Sequence, residues 1–444
     1  MPPETKFQPL IKTFHISLPS NARPHPFCAK AHAKDLIQGL FRALLLALLL
    51  FTPRLANAQN IPAELVPSQV ERLEGDKEVI KGDFPGLIYL PKSNTPTTDE
   101  EYHQPYKIAC GVYMAERSGD DVVRYTRRFI VYANDGEILP TLKRVARTLL
   151  LLHALEKDRL RKDHPRSSET VEVWMSRQSG GLGAEAGGRQ LRNQIYLFNI
   201  YAERAPAEWL REVAHEYGHF ILPGFAGYTE PEEWGNGVLG ERLFLLWIAQ
   251  EVKAGRIPPD KIPFVTPEQF DEHLAKRITP QLKRLAGEGI SLSALNQRNA
   301  EGMNTLTSSA LYIESVYQSK GLRDAFAYTE SSDGSIFYKG GDLYRGLLRS
   351  LESSNRITLQ FPLLQWEGMV QGAMVYLPRG DFQVAAEAGI KKWEVVGSED
   401  GNPSRKANQL HIGKAGWRKL KFFLENEKVK TLRLTLTRAG NEVN

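Results

Sequence analysis

Residues 208–225 read EWLREVAHEYGHFILPGF. His215 and His219 stand four apart, and Glu216 directly follows the first. On an α-helix, residues four apart lie one above the other on the same face, so both imidazoles can turn to one cation. Glu216 sits about 100° further round, within reach of a water beside that cation but not placed to ligate it. Pro206 suits the first turn of such a helix, and Pro223-Gly224 stops it. The competing reading is an ordinary amphipathic helix with two histidines on one face. With ten histidines in the chain, the pattern arises by accident in roughly one protein of this size in a hundred. A third ligand and a compartment therefore have to be sought elsewhere.

Zinc in a hydrolytic site takes three protein ligands and keeps one position open for water. The metzincin continuation needs a glycine three residues after His219 and a histidine or aspartate three further on. Leu222 and Phe225 stand there, which excludes that class. The other common solution is a glutamate on the next helix, and Glu232, Glu233 and Glu241 all qualify. The segment from Thr229 to about Val252 reads as that helix, with Thr229 as N-cap and Pro231 in the first turn. On this reading Glu232 and Glu233 serve the helix dipole. Glu241 lies mid-helix in the apolar stretch GNGVLGERLFLLWI, where a carboxylate is costly unless paired. Gly237 and Gly240 leave room beside it for close approach of the HEYGH helix. Glu241 is therefore the expected third ligand, with 21 residues between it and His219.

This arrangement, HEYGH followed by GER, resembles the gluzincin metallopeptidases, the clan of thermolysin and aminopeptidase N. The order of strand, helix, strands, HEYGH helix and glutamate helix is similar over roughly residues 127–330. The resemblance implies Zn²⁺ held by His215, His219 and Glu241. Glu216 is then the general base, acting on a water that the metal makes more acidic and passing the proton to the leaving amine. It also implies an oxyanion donor, a tyrosine near a Lys-Gly pair. Tyr317 in SVYQSKG is the expected residue, with Tyr312 and Tyr228 as rivals. Aminopeptidases of the clan carry a G-x-M-E-N segment that binds a free amine; GLGAEAGG here has Glu185 but neither Met nor Asn. The strand NQIYLFNI offers another way to hold substrate, by pairing with an extended peptide.

Compartment is read from the N-terminus. Arg42, the apolar run Ala43–Phe51, Pro53 and the small residues Ala56 and Ala58 follow the order of a secretory signal peptide, with cleavage expected after Ala58. The run is too short for a bilayer that needs about 20 apolar residues, so a secreted or periplasmic protein without a transmembrane anchor is expected. The chain carries 57 Lys and Arg against 52 Asp and Glu; seven of the former and two of the latter lie in residues 1–58, leaving 50 of each. The basic balance therefore belongs to the leader and gives no ground for nucleic-acid binding. Cys28 also precedes the cut, so only Cys110 remains and no intramolecular disulfide can form.

The expected fold class is α+β. Residues 1–58 form an N-terminal extension and signal peptide, and 59–126 a β-rich region with runs such as GLIYL and YKIACGVYM. Residues 127–356 form the gluzincin-like catalytic domain, opening with a helix at LPTLKRVARTLLLLHALEKDRLRK and carrying further helices at 266–287 and 305–328. After ESSNR the pattern changes to short alternating runs, so 357–444 reads as a separate C-terminal β-sandwich able to contact a surface or glycan. The expected function is a secreted zinc metallopeptidase acting on peptides or proteins. The alternative is a non-catalytic exported protein- or glycan-binding protein whose helix pair is structural.

Overall fold

Alternating apolar residues set the first sheet. In the computed structural model, strands β1 (Lys77–Lys81), β2 (Gly86–Pro91), β5 (Ile108–Ser118), β6 (Asp121–Ala133), β7 (Val171–Met175), β8 (Gly187–Leu191) and β9 (Gln194–Phe198) pair in the order β1-β2-β5-β6-β7-β9-β8. A minimal hairpin, β3 (Thr97–Thr98) with β4 (Pro105–Tyr106), stands apart. The structure describes residues 77–81, 84, 86–91, 97–99, 102–118, 121–161, 170–177, 187–191, 193–200, 206–360, 370–386, 390–396, 405–406, 408–424 and 432–439. The expected signal peptide, and Glu185 of the glycine-rich segment, lie outside them. No helix among the described residues is long and apolar enough to cross a membrane.

β6, β7 and β9 run parallel, and β8 returns antiparallel along the edge. The crossover from β6 to β7 is helix α1 (Leu139–Leu160), which buries Leu142, Val145, Leu149 and Leu152 at the spacing of three and four that its sequence shows. A helix with such a stripe gains stability by covering a sheet face. Elsewhere the sheet carries an aromatic row. Tyr132 stacks on Trp174 with ring centres 4.0 Å apart, and Tyr106 meets Trp174 edge-on. β9 lies between β7 and β8, so both its edges are already paired. The expectation that NQIYLFNI takes up a peptide is therefore corrected, because the edge belongs to β8.

Helices follow: α2 (Pro206–Ile221), α3 (Gly235–Lys253), α4 (Pro267–Arg277), α5 (Thr279–Glu288), α6 (Leu292–Leu295), α7 (Ala300–Ala327) and α8 (Gly340–Ser353). The expected helix at 266–287 is two, broken at Ile278; Thr266 opens the first with a full capping box to Gln269. The chain ends in two antiparallel sheets. One has the order β10 (Arg356–Gln360), β17 (Arg433–Arg438), β12 (Gly380–Ala386), β15 (Gln409–Ile412), β14 (Arg405–Lys406). The other has the order β11 (Val370–Leu377), β16 (Gly416–Leu424), β13 (Ile390–Val396).

These C-terminal strands share their core with the helices. One buried cluster runs from Leu306, Tyr312 and Val316 of α7 into Ala373, Val375, Phe382 and Phe422 of the strands. Tyr312 donates its hydroxyl to the Met374 carbonyl at 2.5 Å, and the Trp417 indole donates to the Tyr344 hydroxyl at 3.0 Å. All described residues belong to one compact unit, Asn57–Asn444. The change of periodicity at residue 357 is thus a change of element type and not a break in the core. Exposing a large buried side chain costs about 1.5–3 kcal/mol, so uncovering four or five rivals the about 5–15 kcal/mol that holds a domain folded. Residues 59–356 expressed alone should be insoluble or melt without a cooperative transition, while the full-length chain is soluble. A soluble truncation with a sharp melting transition would restore the separate C-terminal domain.

Candidate metal centre

α2 carries His215 and His219 one turn apart, and α3 crosses it closely enough to fix where they point. The crossing is made by two glycines. A Cβ added to Gly240 would lie 2.5 Å from the Gly218 Cα, and one on Gly218 would lie 2.7 Å from the Gly240 Cα and 2.8 Å from the Asn236 carbonyl. No residue larger than glycine fits either place without moving a helix. One turn earlier on α3, a Cβ on Gly237 would fall 2.3 Å from His219 Nε2 and 2.5 Å from His215 Nε2. The bare backbone there keeps clear a space that both imidazoles face.

Each ring is held by its other nitrogen. His215 Nδ1 lies 3.2 Å from Glu241 Oε2, and His219 Nδ1 lies 3.0 Å from Asn236 Oδ1. Asn236 also donates its amide to the His219 carbonyl at 3.2 Å. Partners that accept from Nδ1 leave the Nε2 lone pairs for a cation, the arrangement that orients histidine ligands in metal sites. Glu241 is itself gripped by Arg211 Nη1 at 2.5 Å, while Arg211 Nε donates to Glu208 at 2.7 Å.

The third converging group is Glu232. Its Oε2 stands 3.2 Å from His215 Nε2 and 3.6 Å from His219 Nε2, and the two Nε2 atoms are 3.2 Å apart. Among the described residues, His215, His219 and Glu232 are the group whose ligand atoms meet as a metal requires. Three corners of a tetrahedron around zinc at about 2.0–2.1 Å stand about 3.3–3.4 Å apart, so the donors fit that ion. The electrostatics of the cluster favour positive charge at this point. Burial lowers His215, but hydrogen bonds with Glu232 and Glu241 outweigh it and push the imidazole up to about 10. Burial raises Glu232, but hydrogen bonds to both histidines hold it down at about 2.

Glu216 stands beside the cluster and outside it. It is 3 % exposed, and its Oε2 has no hydrogen-bond partner among the described residues. Burial pushes it up to about 7 against the pull of His215 and His219. A buried carboxylate oxygen left without a partner is uncommon, and a carboxylate poised near neutrality suits proton transfer.

The expected residues thus separate into two sets. His215, His219 and Glu216 come together. Glu241 is buried and paired, as an acid in an apolar helix must be, but on Nδ1 of His215 and not at the convergence point. Tyr317 is not in the cluster. Its buried hydroxyl donates to the Tyr376 carbonyl at 3.2 Å and accepts from the Tyr376 N–H at 2.7 Å, pinning α7 to β11. Tyr312 is used in the same way on Met374, and Tyr228 is buried with its hydroxyl beside Gly340.

Glu232 escaped as a candidate ligand because the helix start was placed too early. α3 begins at Gly235, and Thr229 caps nothing; its hydroxyl donates to the Arg298 carbonyl at 3.0 Å. Glu232 therefore sits in the loop before the helix, free to fold back over α2. Asn236 was missed because it has no motif of its own. Its place one residue before Gly237, on the face crossing α2, is the signal.

Comparison with models of known protein families gives no match, and comparison with curated proteins gives none either. The geometry is open to direct test. Gly237→Ala places a methyl where the two Nε2 atoms converge, yet improves helix propensity by roughly 1 kcal/mol. Zinc retained after dialysis should fall at least about tenfold, with the melting temperature of the metal-stripped protein kept or raised. Unchanged zinc retention would show that the ion binds elsewhere.

Proposed function

We propose that this chain is an exported zinc-dependent metallopeptidase of the HExxH type, with His215, His219 and Glu232 as protein ligands. Zinc supplies a Lewis acid that lowers the pKa of water and polarises a carbonyl. The observation that carries the reading is Glu216, buried and with an orphaned oxygen, one residue from a ligand histidine. Glu216 takes the proton from the attacking water and delivers it to the amine that leaves. Its affinity near neutrality lets it do both. Glu241 and Asn236 are positioning residues that keep the imidazoles turned and in the right tautomer.

The ligand set of two histidines and a glutamate is gluzincin-like, and it replaces the Glu241 assignment with Glu232. Peptide is favoured over other acyl substrates by the edge strand. β8 lies at the open side of the sheet and packs along α2, so an extended peptide can add to it alongside the helix that carries the histidines. Export rests on the order of Arg42, the apolar run Ala43–Phe51 and Ala56–Ala58. The two C-terminal sheets are read as a sandwich that braces α7 and α8.

Glu216→Gln is nearly isosteric and removes no ligand. It should leave zinc content unchanged and lower kcat/KM on a peptide pool by at least about 10²-fold, the usual worth of a general base. Near-normal hydrolysis by the pure variant, or wild-type activity that survives full zinc removal, contradicts the function.

A further inference from the structure

Among the described residues few large apolar side chains face water, and three of them stand together near the metal centre. Trp234 and Phe337 are each 37 % exposed, and Ile336 is 84 % exposed. Trp234 meets Phe337 edge-on with ring centres 4.7 Å apart, and Ile336 adjoins Phe337 in the chain. Single exposed apolar residues are ordinary, but a contiguous ridge of them marks a place where something binds.

Two segments bring the ridge to the centre. Trp234 follows Glu232 by two residues, so at most about 7 Å of chain separates their backbones. Phe337 is held against the turn after α2. There Tyr338 donates its N–H to the Gly224 carbonyl at 2.9 Å and accepts from the Ala226 N–H at 3.2 Å. A Cβ on Gly224, five residues past His219, would lie 3.4 Å from the Phe337 ring. The loop before Tyr338 is braced by its own polar groups. Asp333 accepts from the Ser331 hydroxyl at 2.8 Å and the Ser335 N–H at 3.1 Å, and it pairs with Lys339. The Ser335 hydroxyl in turn accepts from the Phe337 N–H at 3.1 Å. These polar atoms are engaged with one another, and Ile336 is what the loop offers to solvent.

We propose that this ridge selects the substrate: it receives a large apolar side chain, aromatic by preference, of the peptide held at the metal centre. The inference rests on the peptidase reading and extends it to sequence preference. Burying such a side chain is worth roughly ten- to a hundredfold in affinity. The rings of Trp234 and Phe337 add edge-on and offset contacts that an aromatic partner exploits best. A lipid surface would call on similar residues. However, Glu230 and Glu233 stand exposed on the loop that leads to Trp234, and an anionic bilayer repels carboxylates.

The test is calorimetric titration of the zinc-loaded full chain carrying Glu216→Gln with two blocked peptides, acetyl-GSFSG-amide and acetyl-GSASG-amide. The phenylalanine peptide should bind at least about tenfold tighter. Adding Phe337→Ala should cut that preference below about threefold and leave zinc content unchanged. Ile336→Ser, at an exposed position, provides the same reading should the first variant fail to fold. The chain with Glu216 intact should show the same preference in kcat/KM. A binding preference without cleavage of either peptide would uphold the ridge and refute the peptidase, so the two fail separately. The proposal is overturned by equal affinity for the two peptides, by no binding of either up to about 10 mM, or by a preference unchanged in the folded variants. Equal affinity together with binding to phosphatidylglycerol vesicles that Ile336→Ser abolishes would assign the ridge to a lipid surface instead.

Discussion

The contact of Gly218 with Gly240 is the constraint on which the centre depends. Helices normally pack with axes 8–10 Å apart because side chains intervene; here backbone meets backbone, with Ala214 O 3.0 Å from the place of a Gly240 Cβ. That approach brings the first two turns of α3 within reach of α2. Asn236 meets His219, Gly237 faces both Nε2 atoms, and Glu241 meets His215. A wider crossing would loosen all three contacts at once. The glycines are costly for helix stability, by up to about 1 kcal/mol each against alanine. The apolar faces of the helices offset this, with Leu239, Leu243, Phe244 and Trp247 of α3 and Val213, Tyr217 and Phe220 of α2 all buried in one core.

Around that crossing, polar groups divide the work by ring nitrogen. The Nδ1 side is a closed network in which Arg211 holds Glu241 and Glu241 holds His215. Removing one member leaves a buried charge unpaired, which is more damaging than loss of the pair. The Nε2 side gathers only acceptors and lone pairs and is stable when a cation sits among them. Glu216 belongs to neither network. Burial keeps its proton affinity near neutrality, far above that of Glu232, which the histidines hold down. Two carboxylates at one cluster, one on α2 and one in the loop before α3, thus have opposite character, set apart by whether a histidine hydrogen-bonds them.

Much of this was legible in the chain. The spacing of His215, Glu216 and His219 follows from helical periodicity alone, and so does the need for room at Gly237 and Gly240. The burial of Glu241 and its need for a partner were also readable from its apolar neighbours. What could not be read was which partner it takes, since that depends on where α3 begins. Thr229, Pro231 and two acids imitate a helix start, but the helix opens at Gly235 behind Trp234, with no side-chain cap. The misplacement of the cap by five residues, from Trp234 to Thr229, moved Glu232 from loop to helix and concealed it as a candidate ligand. Tyr317 failed for a different reason. A short motif near a Lys-Gly carries no information on which face of α7 is buried, and the C-terminal strands claim that face. The same strands read as an independent unit, because alternation reports strands and says nothing about which surface they cover.

The most direct measurement is zinc-edge X-ray absorption on the full-length protein and two variants. The account predicts two imidazole nitrogens and one carboxylate oxygen from protein, at about 2.0–2.2 Å, with water completing the shell. In Glu232→Ala the carboxylate contribution should disappear, whereas in Glu241→Ala it should persist with weaker zinc retention. Loss of the carboxylate in Glu241→Ala, with an unchanged spectrum in Glu232→Ala, would contradict the account and make Glu241 the ligand.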